Sequence, residues 1–254
     1  MECLDDLKIL DFSTLLPGPF ASLQLADMGA EVLKISSPSK YDLVLDSELV
    51  EKNLSSSQAW LGRNKKTMAL NLKTPEAIKI IKKLILEYDI LIEQFRPGVM
   101  EKLGLSYDTL KKINPRLIYC SLTGYGQTGP YRNRAGHDIN YLSLSGNMGY
   151  SGKKEIGPVL TNMQIADLAS GAMNSIIGIL AALHHRERTG LGQHIDISML
   201  DGVVALHAIE GNRFLTTGET PQREEELLNG GSFYDFYPTK DGRYISLGAL
   251  EPKF

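Results

Sequence analysis

The sequence predicts an α/β fold built on a parallel sheet, and three observations carry that prediction. Short apolar runs alternate with segments of helical periodicity, the first 35 residues already hold a strand–helix–strand unit, and most connections in the first half are two to six residues long. A strand that returns parallel to its predecessor needs a crossover, and a helix supplies one.

Taken in order, residues 7–12 (L-K-I-L-D-F) form the first strand, closed by the turn Pro17-Gly18-Pro19. Pro19 stands where a helix can begin, F-A-S-L-Q-L-A-D-M-G keeps apolar residues at helical spacing, and Gly29 stops it. Residues 31–35 are the second strand, and 36–57 read as a polar surface loop. A basic turn at 62–66 leads into the third strand, 67–72. Pro75 opens a helix whose apolar face is Ala77, Ile80, Ile81, Leu84 and Ile85. Residues 89–95 are the fourth strand, followed by Arg96-Pro97-Gly98, a short helix and a helical turn at 110–113, and residues 117–122 are the fifth. Repeated in this way, the pattern is that of a Rossmann-like doubly wound sheet. A long helix then runs from Asp167 to about Arg188, and residues 192–198 return as a strand. Residues 199–216 are mostly helical, and 233–237 with 244–247 read as a hairpin across Lys240-Asp241-Gly242. The chain thus divides into a large domain over 1–198 and, over 199–254, a linker helix with the start of a smaller domain.

Composition narrows the function classes. At 43% hydrophobic, 22% charged and a net charge of −3, the surface offers no field that would attract nucleic acid or a membrane. Cys3 and Cys120 form neither a disulfide framework nor a ligand cluster, which suits a reducing compartment, and no metal site is expected. The acidic first residues carry no secretory or Arg-rich transit signal, so secretion is not expected. A prokaryotic cytoplasm, or a eukaryotic mitochondrion or peroxisome, fits. The longest apolar stretch, 165–183, contains Asp167, Ser170, Asn174 and Ser175 and reads as a buried helix rather than a membrane span.

Candidate chemistry gathers between Thr123 and Gly171. The loop T-G-Y-G-Q-T-G-P has three glycines that let backbone approach a ligand, but no G-x-G-x-x-G follows the first strand, so a dinucleotide site of the usual kind is not supported. His137, between Gly136 and Asp138, can give or take a proton near neutrality, or can be a hydrogen-bonded loop residue. Asp167 precedes the long helix, where it can cap the N-terminus, act as a base or act as a nucleophile. His184, His185, His194 and His207 read as structural. Basic residues at strand ends, Arg63, Lys65, Lys66 and Arg96, would suit an anionic ligand with phosphate groups, or are solvated surface charges. Met148, Met163 and Met173 are either an adaptable apolar surface or core filler.

In order and spacing, these segments resemble the α-methylacyl-CoA racemases within the class III CoA-transferase (CaiB/BaiF) superfamily. The resemblance runs through L-P-G-P-F-A, L-A-D-M-G-A-E-V, G-R-N-K-K-T-M-A-L-N-L-K, F-R-P-G-V-M-E-K-L-G-L, L-T-G-Y-G-Q-T-G-P, A-G-H-D-I-N-Y, A-D-L-A-S-G, G-Q-H-I-D-I-S-M-L-D-G and G-A-L-E-P-K-F. It implies an isomerase that racemises 2-methylacyl-CoA thioesters through an enolate, with His137 and Asp167 as the acid/base pair and Glu251 hydrogen-bonded to the histidine. It implies coenzyme A contacts at Arg63, Lys65, Lys66 and Arg96 and along Tyr125, Gly126, Tyr131 and Arg134. It implies no prosthetic group, coenzyme A entering as part of the substrate, and an interlocked homodimer. Backbone N–H groups at the start of the Asp167 helix are the expected donors to the enolate oxygen. The resemblance also implies a longer chain, so the second domain within these 254 residues is expected to be truncated. Two other readings stay open: a CoA-transferase with Asp167 as nucleophile, and an inactive CoA-binding homologue.

Overall fold

Six parallel strands build the sheet, in a computed structural model that describes residues 2–46, 49–51, 54–231, 233–251 and 253. They are β1 (Lys8–Asp11), β2 (Glu31–Ser36), β5 (Lys65–Ala69), β6 (Ile90–Glu93), β7 (Ile118–Thr123) and β8 (His194–Ser198), in the order β5-β2-β1-β6-β7-β8. The central strands read as unbroken apolar runs because both of their faces are buried. Ile9, Val32, Ile90, Ile92, Ile118 and Cys120 point to one face, where helix α1 (Pro17–Asp27) and later helices supply Ala21, Leu25, Ala172 and Ile179. Leu10, Leu33, Leu91 and Tyr119 point to the other, under α3 (Pro75–Leu84) and the short α4 (Val99–Lys102) and α5 (Tyr107–Leu110). Each fully buried Leu or Ile contributes about 1.5–3 kcal/mol, which makes these two layers the main source of stability.

Local signals set the helix ends. Thr74 caps α3 through Oγ1, which accepts from Ala77 N–H at 3.3 Å; Pro75 sits in the first turn and Lys82 and Lys83 in the last. Strand order reverses between β1 and β6, so the loops after these two strands diverge and open a crevice at the carboxyl edge. Gly18 N–H donates to Gln94 Oε1 at 3.1 Å across that crevice.

Three stretches differ from expectation. The segment read as loop before β5 holds a small antiparallel pair, β3 (Leu49–Glu51) and β4 (Leu54–Ser55), and helix α2 (Ser56–Leu61), capped by Ser55. β5 starts at Lys65, because Lys65 and Lys66 pair with Val32 and Leu33 instead of forming the turn their polarity suggested. The long helix begins with eight residues of π-helix, Ala166–Met173, before α8 (Asn174–Thr189) takes over. Between β7 and this helix lie α6 (Asp138–Leu144) and α7 (Asn147–Tyr150). After β8 come α9 (Met199–Leu206) and α10 (Glu210–Thr217), then the hairpin of β9 (Tyr234–Pro238) and β10 (Tyr244–Gly248), as expected.

Candidate active site

Because every strand of the main sheet points the same way, the loops after β1, β6, β7 and β8 share one edge. The chain leaves β7 at Thr123 and wraps back on itself around a tyrosine. Tyr141 of α6 donates its hydroxyl to Gly136 C=O at 2.6 Å. A Cβ on Gly124 would lie 2.5 Å from the Tyr141 hydroxyl oxygen, and one on Gly136 2.7 Å from its ring. Only glycine fits at either position, so these two glycines serve packing rather than ligand approach. Tyr125 meets Tyr141 edge-on at 5.2 Å, Tyr131 lies 5.7 Å from Tyr125, and the Arg134 guanidinium stacks over Tyr131 at 4.5 Å.

This wrapping delivers His137 to the N-terminus of α6. Its backbone N–H donates to Asn140 Oδ1 at 3.0 Å, while the imidazole is exposed and makes no hydrogen bond among the described residues. The next residue, Asp138, turns toward the π-helix, and its Oδ1 accepts from Asp167 N–H at 3.0 Å. Asp138, not Asp167, therefore caps this helix, and the Asp167 N–H is occupied rather than available to an enolate oxygen. Asp167 sits in the first turn, half-buried. Burial, reinforced by the Asp138 charge, pushes its carboxyl up to about 7. His137 and Asp167 are thus brought to one place by the residue between them. A π-helical turn at this position matches the association of such turns with functional sites.

The other residues named from the sequence divide clearly. Tyr125, Gly126 and Tyr131 line a cleft of about 570 Å³ with Asn174, Ser198 and Asp201, and it borders the pair through Tyr125, whose hydroxyl approaches Gly136. Arg96 is exposed and lines a second cleft of about 290 Å³. Arg63 and Lys66 lie at the opposite, amino edge of the sheet, held by Asp27 at 2.5 Å and Glu31 at 2.9 Å. Lys65 is buried, its ammonium donating to Pro19 C=O at 2.7 Å and Ser22 Oγ at 2.8 Å, with Asp11 at 3.7 Å. Protein groups therefore engage all three cations. Glu251 is exposed, and no hydrogen bond joins it to His137 among the described residues. Met148 packs against the cluster around Tyr141, whereas Met163 and Met173 are exposed.

Sequence reasoning missed a second polar group. In the smaller cleft Glu93 is almost fully buried at the end of β6, its carboxylate accepting from Phe95 N–H at 2.8 Å. Burial still pushes its carboxyl up to about 7. Ser121 Oγ lies 3.0 Å from His194 Nε2, and His194 stacks on Tyr107 at 5.3 Å. The available signal was a carboxylate closing the apolar run D-I-L-I-E, a costly place for a charge.

Comparison with known proteins places this arrangement among relatives. The sequence model of CoA-transferase family III matches residues 4–254. Alpha-methylacyl-CoA racemase of Homo sapiens is 39% identical over 253 residues, covering 99% of this chain and 62% of the relative. Succinyl-CoA:glutarate CoA-transferase of Homo sapiens is 37% identical over 252 residues, covering 97% of this chain and 56% of the relative. The chain thus spans about three fifths of the length of these curated relatives. Among solved structures, a CAIB/BAIF family protein from Brucella suis superposes with a TM-score of 0.88 at 33% identity, over 96% of this chain and 65% of that one.

Proposed function

Because this chain belongs to CoA-transferase family III, we propose that it transforms an acyl-CoA thioester at the carboxyl edge of the sheet, and that the reaction is racemisation of a 2-methylacyl-CoA. The observation that carries this reading is the Asp167 carboxyl, held beside the His137 turn and raised to about 7. Racemisation by two groups needs one protonated and one free at the start, with the roles exchanged for the other enantiomer. A carboxyl that titrates near neutrality can serve in either state. One group takes the α-proton, leaving a planar enolate, and the other delivers a proton to the opposite face.

Coenzyme A enters as part of the substrate. Its anionic phosphates suit the exposed Arg96 and Arg134, and its pantetheine arm suits the cleft beside Tyr125, Gly126 and Tyr131. Exposed Ile177 and Leu180 on α8, with Val204 and Leu206 on α9, support a homodimer as the working form.

One observation favours the second reading. His137 has no orienting carboxylate among the described residues, and a CoA-transferase needs only Asp167, as the nucleophile of an acyl-enzyme anhydride. Incubation with a (2S)-2-methylacyl-CoA in deuterated water separates the two. Deuterium at Cα with inversion supports racemisation. CoA passing to an added carboxylic acid, with hydroxylamine cleaving the enzyme-bound intermediate to leave a hydroxamate on Asp167, supports transfer. His137→Ala is expected to abolish inversion at Cα while CoA affinity stays within about twofold, since the imidazole serves proton transfer rather than binding. Racemisation that survives this substitution removes His137 from the pair.

A further inference from the structure

The acid/base reading names two groups but leaves open what holds them at a fixed separation. His137 is the residue before α6, and Asp167 lies in the first turn of the π-helix 29 residues beyond Asp138. We propose that Asp138 is the positioning residue of this site: its backbone carries His137 on one side, its carboxylate grips the Asp167 N–H at the start of the π-helix on the other, and this single side chain fixes the two proton-transfer groups relative to each other. The inference rests on the acid/base reading above and extends it to a residue that touches neither substrate nor proton.

The geometry is specific. An ionised carboxylate accepting backbone N–H bonds at a helix start makes a charge-assisted contact, stronger than a neutral one. Asp138 Oδ1 accepts from Asp167 N–H at 3.0 Å. This places one carboxylate against the residue that bears the other, so Asp138 acts on Asp167 through its charge as well as its hydrogen bond.

Other elements packed against this helix offer Asp167 no comparable group. From α6 the titratable groups are Asp138 and the Tyr141 phenol, which feels both carboxylates. The loop before α6 brings His137, Arg134 and Tyr125. Asp196 of β8 accepts from Gln127 N–H at 3.0 Å. Asp201 of α9 is exposed, Asp27 lies at the far end of α1 on Arg63, and the ionisable residues of α8 stand in its last turns. Among all of these, only Asp138 contributes appreciable charge at Asp167.

Two variants test the proposal. Asp138→Asn keeps a side-chain oxygen that can accept from Asp167 N–H but removes the charge. The Asp167 midpoint, followed by carboxyl ¹³C NMR, should fall, and the Asp167 amide should keep its protection from hydrogen exchange. Asp138→Ala removes both functions. Its Asp167 amide should exchange at least tenfold faster, and kcat for Cα deuterium exchange should fall about 100-fold with KM within threefold, as expected of lost alignment. An unchanged Asp167 midpoint in Asp138→Asn, unchanged amide protection in Asp138→Ala, or a loss carried wholly by KM would overturn it. If the unsubstituted protein incorporates no deuterium, the acid/base reading fails, while the NMR midpoint and amide exchange still decide whether Asp138 sets the state and placement of Asp167.

Discussion

At the scale of single residues, two carboxyls held near 7 make the protein's stability depend on pH in an unusual direction. Burial raises both Asp167 and Glu93. A carboxyl raised in the folded state keeps a proton that the unfolded chain has lost above about pH 4, so its contribution is fully present below that pH and is lost as pH rises through 7. The thermal midpoint should therefore decline between pH 5 and 8. Asp167→Asn and Glu93→Gln should each flatten that decline, by on the order of 2 kcal/mol at most, Asp167 less for its partial exposure. Calorimetry across that range checks it, and pH slopes that match the unsubstituted protein would refute it.

Among elements, the tie that joins β1, β2, β5 and α1 is a buried ionic cluster. Asp11 is fully buried, with Lys34 at 3.6 Å and Lys65 at 3.7 Å, and it accepts from the hydroxyls of Ser13 and Ser22, both at 2.5 Å. Burial alone would raise the Asp11 carboxyl, but the two ammonium groups and the two hydroxyls hold it below the usual carboxylate range; burial pulls Lys65 down to about 8. Asp11→Ala strands two cations in the interior and should cost roughly 3–5 kcal/mol in urea unfolding, whereas adding Lys65→Met should restore part of the loss. Additive losses would mean that Asp11 and Lys65 are not coupled.

The same cluster marks where sequence reading stops. β1, β6 and β7 were legible because burial on both faces writes itself as an apolar run. The start of β5 was not, because Lys65 reads as a turn residue until Asp11, far away in sequence, is seen to receive it. His137 and Asp167 were legible as residue types in a turn and at a helix start. Their linkage was not, since the carboxylate that caps the Asp167 helix belongs to a different helix. The ion pairs of Arg63 and Lys66 were hidden for the same reason: polarity is visible in sequence, but the Asp27 and Glu31 partners are not.

Across the whole molecule, stability is distributed unevenly. The sheet core buries Ile9, Ile90, Leu91 and Ile118 completely, whereas every residue of β10 is exposed. Lys153 joins the hairpin at Asp235, 2.5 Å away, and the segment before it is held by Glu224 to Lys153 at 3.1 Å, by Arg223 to the carbonyls of Met148 and Ser151, and by Asn229 to Tyr150 C=O. Half-exposed ion pairs each contribute about 1 kcal/mol or less, and an isolated two-stranded hairpin is marginal in water. The β9 and β10 amides should therefore exchange by local opening at low urea, while those of β1, β6 and β7 exchange only with global unfolding. Lys153→Ala should speed exchange in the hairpin and leave β7 untouched. Should the hairpin amides prove as protected as those of β7, its stability must come from burial against a second surface, and sedimentation measured on the same sample would show whether that surface is another copy of the chain.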